Sequence, residues 1–308
     1  MSRFTTPRFS PHTQMVLATL LFACMGVCVK LASVHFSTAT VVAARGLIGA
    51  VMMAFIAHAS RTSLRTTVPA LHIKRGLAGV AALALWFYCM GRLPLATAVT
   101  LNYMSSVWMA VYLVLRAWLA GGRRVDPRLL TAVAVGFVGV GLVLHPTIAR
   151  DQIGVGLLGV ASGMLAALAY LQVSALGRAG EPEVRVVFYF SLMGTLLGAV
   201  IWLASGAWLA PSASGDTPAL AWLELIGVGA FATLAQLLMT RAYATGRALV
   251  NANLQYLGIV HAALFGMLFF NESIGVDGVL GMVLIVAAGM AATRFPAPPL
   301  TSSSEVAP

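Results

Sequence analysis

The sequence predicts an all-α membrane protein whose ten transmembrane helices form two inverted five-helix repeats. Three observations lead there. First, 60% of the 308 residues are hydrophobic and only 9% are charged, with a mean hydropathy of +0.91. A soluble domain carries about 25% charged residues to solvate its surface, so lipid must solvate most of this one. Second, the apolar residues fall in continuous runs of membrane-spanning length, without the period-two alternation of a β-barrel. Third, the second half of the chain echoes the first.

The runs give spans at 15–33, 39–57, 76–91, 96–119, 129–144, 155–176, 186–204, 220–240, 250–270 and 276–292. Residues 1–14 form a basic segment before the first span. That span ends at Lys30-Leu-Ala-Ser rather than at a small-x-small cleavage site, so it is expected to be an uncleaved helix. Val125–Arg128 and Pro211–Pro218 are polar breaks, and the Pro/Ser-rich residues 295–308 are expected to be a disordered cytoplasmic tail. The 30 glycines suit close helix contacts in lipid. Cys24, Cys28 and Cys89 lie in apolar segments and are expected to pack as small hydrophobes, with no His or Asp nearby to complete a metal site.

Ten spans put both termini on one side, which sorts the cations. One side receives Arg3 and Arg8; Arg61, Arg65, Lys74 and Arg75; Arg116, Arg123, Arg124 and Arg128; Arg178 and Arg185; Arg241 and Arg247; and Arg294. The other receives Arg92 and Arg150, with Lys30 and Arg45 inside or at the edge of spans. That asymmetry sets both termini in the cytoplasm and the protein in the cytoplasmic (inner) membrane as a multi-pass protein. It also accounts for the net charge of +10 without a nucleic-acid partner, since no basic stripe with interleaved aromatics exists. The expected partners are the lipid bilayer and a small-molecule substrate, and a homodimer stays open.

The repeat shows in Gly91-Arg-Leu-Pro-Leu-Ala-Thr-Ala-Val-Thr-Leu-Asn-Tyr103 and Ala244-Thr-Gly-Arg-Ala-Leu-Val-Asn-Ala-Asn-Leu-Gln-Tyr256. Each closes one helix, turns briefly and opens another with an amide-Tyr pair. Each is followed by a further apolar helix and a Gly-rich last helix. The units are residues 15–146 and 153–294. Five spans per unit is odd, so the second unit enters the membrane in the opposite sense, the architecture of alternating-access carriers.

Gly26-Val-Cys-Val-Lys30-Leu-Ala, Ala43-Ala-Arg45-Gly-Leu, Leu93-Pro94-Leu-Ala-Thr-Ala, Phe269-Phe-Asn-Glu272-Ser and the Gly281-x7-Gly289 final helix give a resemblance covering nearly the whole chain. The sequence resembles the EamA-type branch of the drug/metabolite transporter superfamily. The resemblance implies ten helices in two repeats and secondary transport of a small organic metabolite, with export favoured. The chain departs from the family pattern at Ser106 and Ile259, where Pro is frequent, and at Gly121-Gly-Arg-Arg124, where a Glu is common.

Candidate substrate-binding residues follow from the cost of polar groups in lipid. Arg45 lies about 9 Å into its helix at about 1.5 Å per residue, and Lys30 closes the preceding span. Glu224 opens the eighth span at the same side, where it could neutralise them. Snorkelling remains open for Lys30, as does a structural ion pair for Arg45. Asn251, Gln255 and Gly258 share one face of the ninth span, beside Tyr256, with His261 roughly 60° around. Thr233, Gln236 and Thr240 share a face of the eighth. Asn102 and Trp108 on the fourth, Trp86 on the third and Tyr170 on the sixth add amides and aromatic walls, which suit a small amphipathic ligand such as an amino acid or organic acid. Each amide also serves as interhelical glue, worth about 0.6 kcal/mol per contact. His261 is the mid-helix group able to titrate near neutrality.

An intramembrane enzyme would need an HExxH, GxSxG, Walker or helical DxxD set. The sequence carries none of these. No catalytic residue, metal or cofactor is therefore expected.

Overall fold

A computed structural model describes residues 10–105, 152–204, 218–245 and 254–294, with scattered positions between 107 and 142. Nine helices are delimited among the described residues: α1 (Pro11–Ala32), α2 (Thr38–Ala59), α3 (Pro69–Met90), α4 (Leu95–Tyr103), α5 (Ile153–Arg178), α6 (Glu183–Ala204), α7 (Ala219–Thr245), α8 (Leu257–Phe270) and α9 (Val276–Arg294). No strand occurs among them. Helices α1, α2, α3, α5, α6 and α7 are long and apolar enough to cross a membrane, while α8 and the Val276–Ala288 part of α9 are shorter apolar helices. The span expected at 129–144 lies largely outside the described residues.

Local chemistry sets the ends. The Ser10 and Ser37 side chains accept from the backbone N–H groups of Thr13 and Thr40, each at 3.2 Å, capping α1 and α2. Pro69 sits in the first turn of α3, where its missing N–H costs nothing. The helix therefore begins seven residues before the expected position 76, which carries Lys74 and Arg75 into it. Gly180, at φ +77°, makes the tight link from α5 to α6. Asn271, left-handed at φ 51°, ends α8.

The bundle is dressed for lipid. On α6 the buried face is Val184, Val187, Phe190, Ser191, Gly194 and Gly198, whereas Leu196, Val200, Ile201 and Leu203 point outward. Small residues inside let the backbones close up. A Cβ on Gly198 would stand 2.7 Å from the Ala43 backbone nitrogen, and one on Gly46 would strike the backbone of Ser191 and Thr195. Helices α2 and α6 therefore touch main chain to main chain.

The packing pairs follow a two-fold exchange of the halves. α1 runs along α7 and α3 along α5; α2 packs on α6; α4 meets α8. Exchanging α1 with α5, α2 with α6, α3 with α7 and α4 with α8 maps this set onto itself. The lesser contacts of α1 with α8 and of α4 with α5 are likewise exchanged. Helix geometry pauses at matching places in both halves, at Met104 after Asn102-Tyr103 and at Tyr256 within Gln255-Tyr256.

Candidate substrate site

Where the two halves meet, a cavity of about 50 Å³ is lined by α1, α2, α3, α4, α5, α6 and α7. Its polar lining comprises Arg45, Arg75, Trp86, Asn102, Tyr170 and Gln236, and its apolar lining includes Phe22, Leu83 and Phe190. Typical ligand pockets hold roughly 300–1,000 Å³, so the helices here are drawn together around a space for a few waters. A larger apolar groove of about 530 Å³ between α2, α3 and α6 has little but Thr38 and Tyr88 to orient a polar substrate.

Arg45 and Arg75 define the cavity's character. They are 2% and 3% exposed, and both rest on one ring. The guanidinium carbons stand 4.7 Å and 4.1 Å from the centroid of Phe190. Cation–π contact offsets part of the cost of burying them. Their Nε and Nη1 atoms have no hydrogen-bond partner, nor has Trp86 Nε1. Phe190 comes from α6 and the arginines from α2 and α3, so the cluster joins the two halves.

Beside the cavity a second layer is linked by hydrogen bonds. Tyr243 donates its hydroxyl to Gln255 Oε1 at 3.0 Å, and Gln255 Nε2 donates to the Tyr170 hydroxyl at 3.1 Å. The rings of Tyr170 and Tyr243 stack at 6.2 Å. Tyr170 lines the central cavity, and Tyr243 lines a separate vestibule of about 310 Å³ with Gly177, Arg178, Glu181 and Glu183. The tyrosine pair is thus the wall between them. Asn102 Nδ2 donates to Ser162 Oγ at 2.6 Å, linking α4 to α5.

Polar ties close both ends of the bundle. At the end bearing the α1–α2 link, Lys30 pairs with Glu272 and donates to the Leu93 carbonyl at 2.9 Å. The Leu95 backbone N–H donates to the other carboxylate oxygen of Glu272 at 2.8 Å. Glu272 can fold back because Asn271 is left-handed and Gly266 presents no Cβ in its path. At the opposite end, Glu181 accepts from Thr66 at 3.0 Å and Arg185 at 3.1 Å and bonds His72 at 3.0 Å. Burial alone would raise the Glu181 carboxyl, but the bonds from His72, Arg185 and Thr66 and the charge of Arg185 hold it below the usual carboxylate range.

Five of the residues expected from the sequence meet at the cavity: Arg45, Trp86, Asn102, Tyr170 and Gln236. Gln255 backs it through Tyr170, and Tyr256 is buried in the same core cluster. Lys30 stands away, engaged with Glu272, and half-buried Trp108 packs against the core cluster. His261 is half-buried on α8 outside the cavity lining, and Asn251 lies outside the described residues. Two expectations are corrected. Among the described residues Glu224 forms no ion pair with Lys30 or Arg45; Glu272 pairs with Lys30, and no carboxylate pairs with Arg45. Arg75 is not a loop cation but a buried cavity residue of α3. The signal available for Arg75 was Pro69 as a helix start, with Gly76 and Gly79 leaving space along the same helix. For Phe190, nothing distinguishes it from the other phenylalanines.

An all-helical bundle with lipid-facing apolar residues and a polar cavity between two matched halves is a multi-pass membrane carrier in outline. The chain belongs to the EamA-like transporter family, whose model matches it twice, over residues 11–145 and 153–293. It is similar to the pseudopaline exporter CntI of Pseudomonas aeruginosa (29% identical, covering 91% of this chain and 94% of the relative). It is also similar to a riboflavin transporter of Brucella anthropi (27%; 74% and 78%) and an S-adenosylmethionine uptake transporter of Rickettsia bellii (25%; 77% and 77%). These relatives are named as transporters, not enzymes. A solved crystal structure shares the fold, with a TM-score of 0.64 at 19% identity over 92% of this chain and 96% of that one.

Proposed function

We propose that the protein moves a small organic metabolite across the cytoplasmic membrane by alternating access, in the direction of export. In this reading ten spans form two inverted repeats, residues 15–146 and 153–294, with both termini cytoplasmic. The two-fold exchange of helix pairs and the two family matches support the repeats. The charge asymmetry supports the orientation and survives the move of Lys74 and Arg75 from the loop into α3. The exporter matches at higher identity and over more of this chain (29%, 91%) than the uptake transporter does (25%, 77%), which supports the direction.

The observation that carries the reading is a polar cavity between the halves with a bonded set of polar side chains on either side of it. Toward the vestibule, the Tyr170–Gln255–Tyr243 wall separates substrate from the cytoplasmic side. Toward the other side, Lys30, Glu272 and Leu95 hold α1, α4 and the α8–α9 link together. Releasing one set while keeping the other exposes the cavity to one side at a time. Arg45, Trp86, Asn102, Tyr170 and Gln236 contact the substrate, an amino acid, organic acid or amphipathic compound, once the helices part to admit it.

Purified protein in proteoliposomes, loaded with amino acids and organic acids in turn, tests this by counterflow of the labelled compound. Saturable exchange that falls severalfold in Gln255→Leu supports the reading. Absence of exchange for every compound, with protein folded and correctly inserted, overturns it.

A further inference from the structure

We infer that Arg45, Arg75 and Phe190 form a clamp for an organic dianion, so that the substrate carries two negatively charged groups, carboxylates in the first instance. This rests on the carrier reading for its meaning but not for its test.

The fully buried side-chain atoms of the cavity lining that lack a partner are Nε and Nη1 of both arginines and Nε1 of Trp86, and all are donors. An occupant that satisfies them must be rich in acceptors. Among the described residues no carboxylate pairs with either arginine, so the cluster holds two uncompensated charges. Burying an unpaired ion is expensive, and breaking or omitting a partner is far worse than never burying the charge. Mutual repulsion between cations on one ring adds to that cost. A monoanion leaves half of the charge unanswered, whereas a dianion neutralises the site.

Geometry favours planar acceptors. A guanidinium offers paired donors in a rigid fork that matches a carboxylate. With their carbons 4.7 Å and 4.1 Å from one ring centroid, the two guanidinium groups stand side by side for an anion to bridge once the helices part. Gly79 makes the arrangement feasible, because a Cβ there would collide with Arg75 Nη1 and stand 2.9 Å from Phe190 Cε2. Trp86, with its N–H free and Phe22 against its ring at 6.4 Å, lies alongside to cover an apolar linker between the two charges.

Thermal unfolding of the purified full chain in detergent, titrated with succinate, acetate or putrescine at matched ionic strength in sodium chloride, tests the clamp. Succinate is expected to raise the midpoint in a saturable manner at concentrations at least tenfold below acetate, with no effect from putrescine. Arg45→Gln and Arg75→Gln should each weaken succinate binding by tenfold or more, and Arg75→Lys should retain more of it than Arg75→Gln. Equal protection by acetate and succinate overturns the proposal, as does chloride protecting as well as succinate. Unchanged succinate binding in both Gln variants also overturns it. Should either Gln variant fail to fold, the rank order of succinate, acetate and putrescine on the unaltered protein still decides. Succinate binding that depends on the arginines without any counterflow would leave the clamp standing and remove the transport reading. Counterflow of a neutral compound that succinate cannot inhibit would do the reverse.

Discussion

Lys30, on the last turn of α1, and Glu272, two residues beyond α8, form an ion pair that joins the two halves of the bundle at one end. The same carboxylate accepts from the Leu95 backbone N–H at the start of α4, where the helix dipole favours negative charge. Three elements from both repeats therefore converge on one residue.

Replacing that residue should loosen the closed end. In Glu272→Gln the Lys30 ammonium keeps the Leu93 carbonyl but loses its counter-charge. Lys30 is 21% exposed, so the loss lies between that of a surface pair and a buried one, about 1–3 kcal/mol. The thermal midpoint should fall, and Gly266→Leu should reproduce the fall because its side chain occupies the space of the carboxylate. Combining the two should add little, the signature of one shared interaction. Additive effects would show that Gly266 acts elsewhere.

Acidification should weaken the opposite end through Glu181. Its carboxyl is held below the usual carboxylate range in the folded protein. A lowered folded value contributes stability above the ordinary carboxylate value, and this is lost as pH falls through the lowered one. Midpoints measured from neutral pH downward should therefore decline on the acid side for the unaltered chain. The decline should be shallower in Glu181→Gln, which is already less stable at neutral pH. Parallel curves would assign the acid limb to other groups.

The wall between cavity and vestibule separates stability from transport. Gln255→Leu removes two hydrogen bonds worth about 0.6 kcal/mol each in a membrane setting, so the midpoint should move little. Counterflow should nevertheless fall severalfold, because Tyr170 and Tyr243 lose the amide that holds them together. Tyr243→Phe, which removes one of the two bonds, should fall between. A large drop in midpoint with normal exchange would make Gln255 a packing residue.

What could be read in advance depended on range. The amide-Tyr pairs were visible because the repeat prints them twice, Asn102-Tyr103 and Gln255-Tyr256, and both fall where their helices pause. Arg45 was visible because it interrupts an apolar run. Arg75 was not, since beside Lys74 it looks like a loop cation. Its shelter is a phenylalanine of the other repeat, more than a hundred residues away. The partner of Lys30 is hidden for a similar reason. Glu224 lies at the right end of the bundle, but only the left-handed turn at Asn271 brings Glu272 back over Gly266.

Gly79 gives a way to disturb the clamp without touching its charges. In Gly79→Ala the new Cβ meets Arg75 Nη1 and crowds Phe190, so the guanidinium must leave its place on the ring. Alanine is the better helix former by about 1 kcal/mol, which offsets part of the strain, so the midpoint without ligand should change by a few degrees at most. Succinate binding should weaken about tenfold even though both arginines remain. Gly154→Ala, where a Cβ meets nothing within 4 Å, is the matched control and should bind as the unaltered chain does. If Gly79→Ala bound succinate normally, the stacked position of Arg75 would be irrelevant to the anion, and charge alone would account for the site.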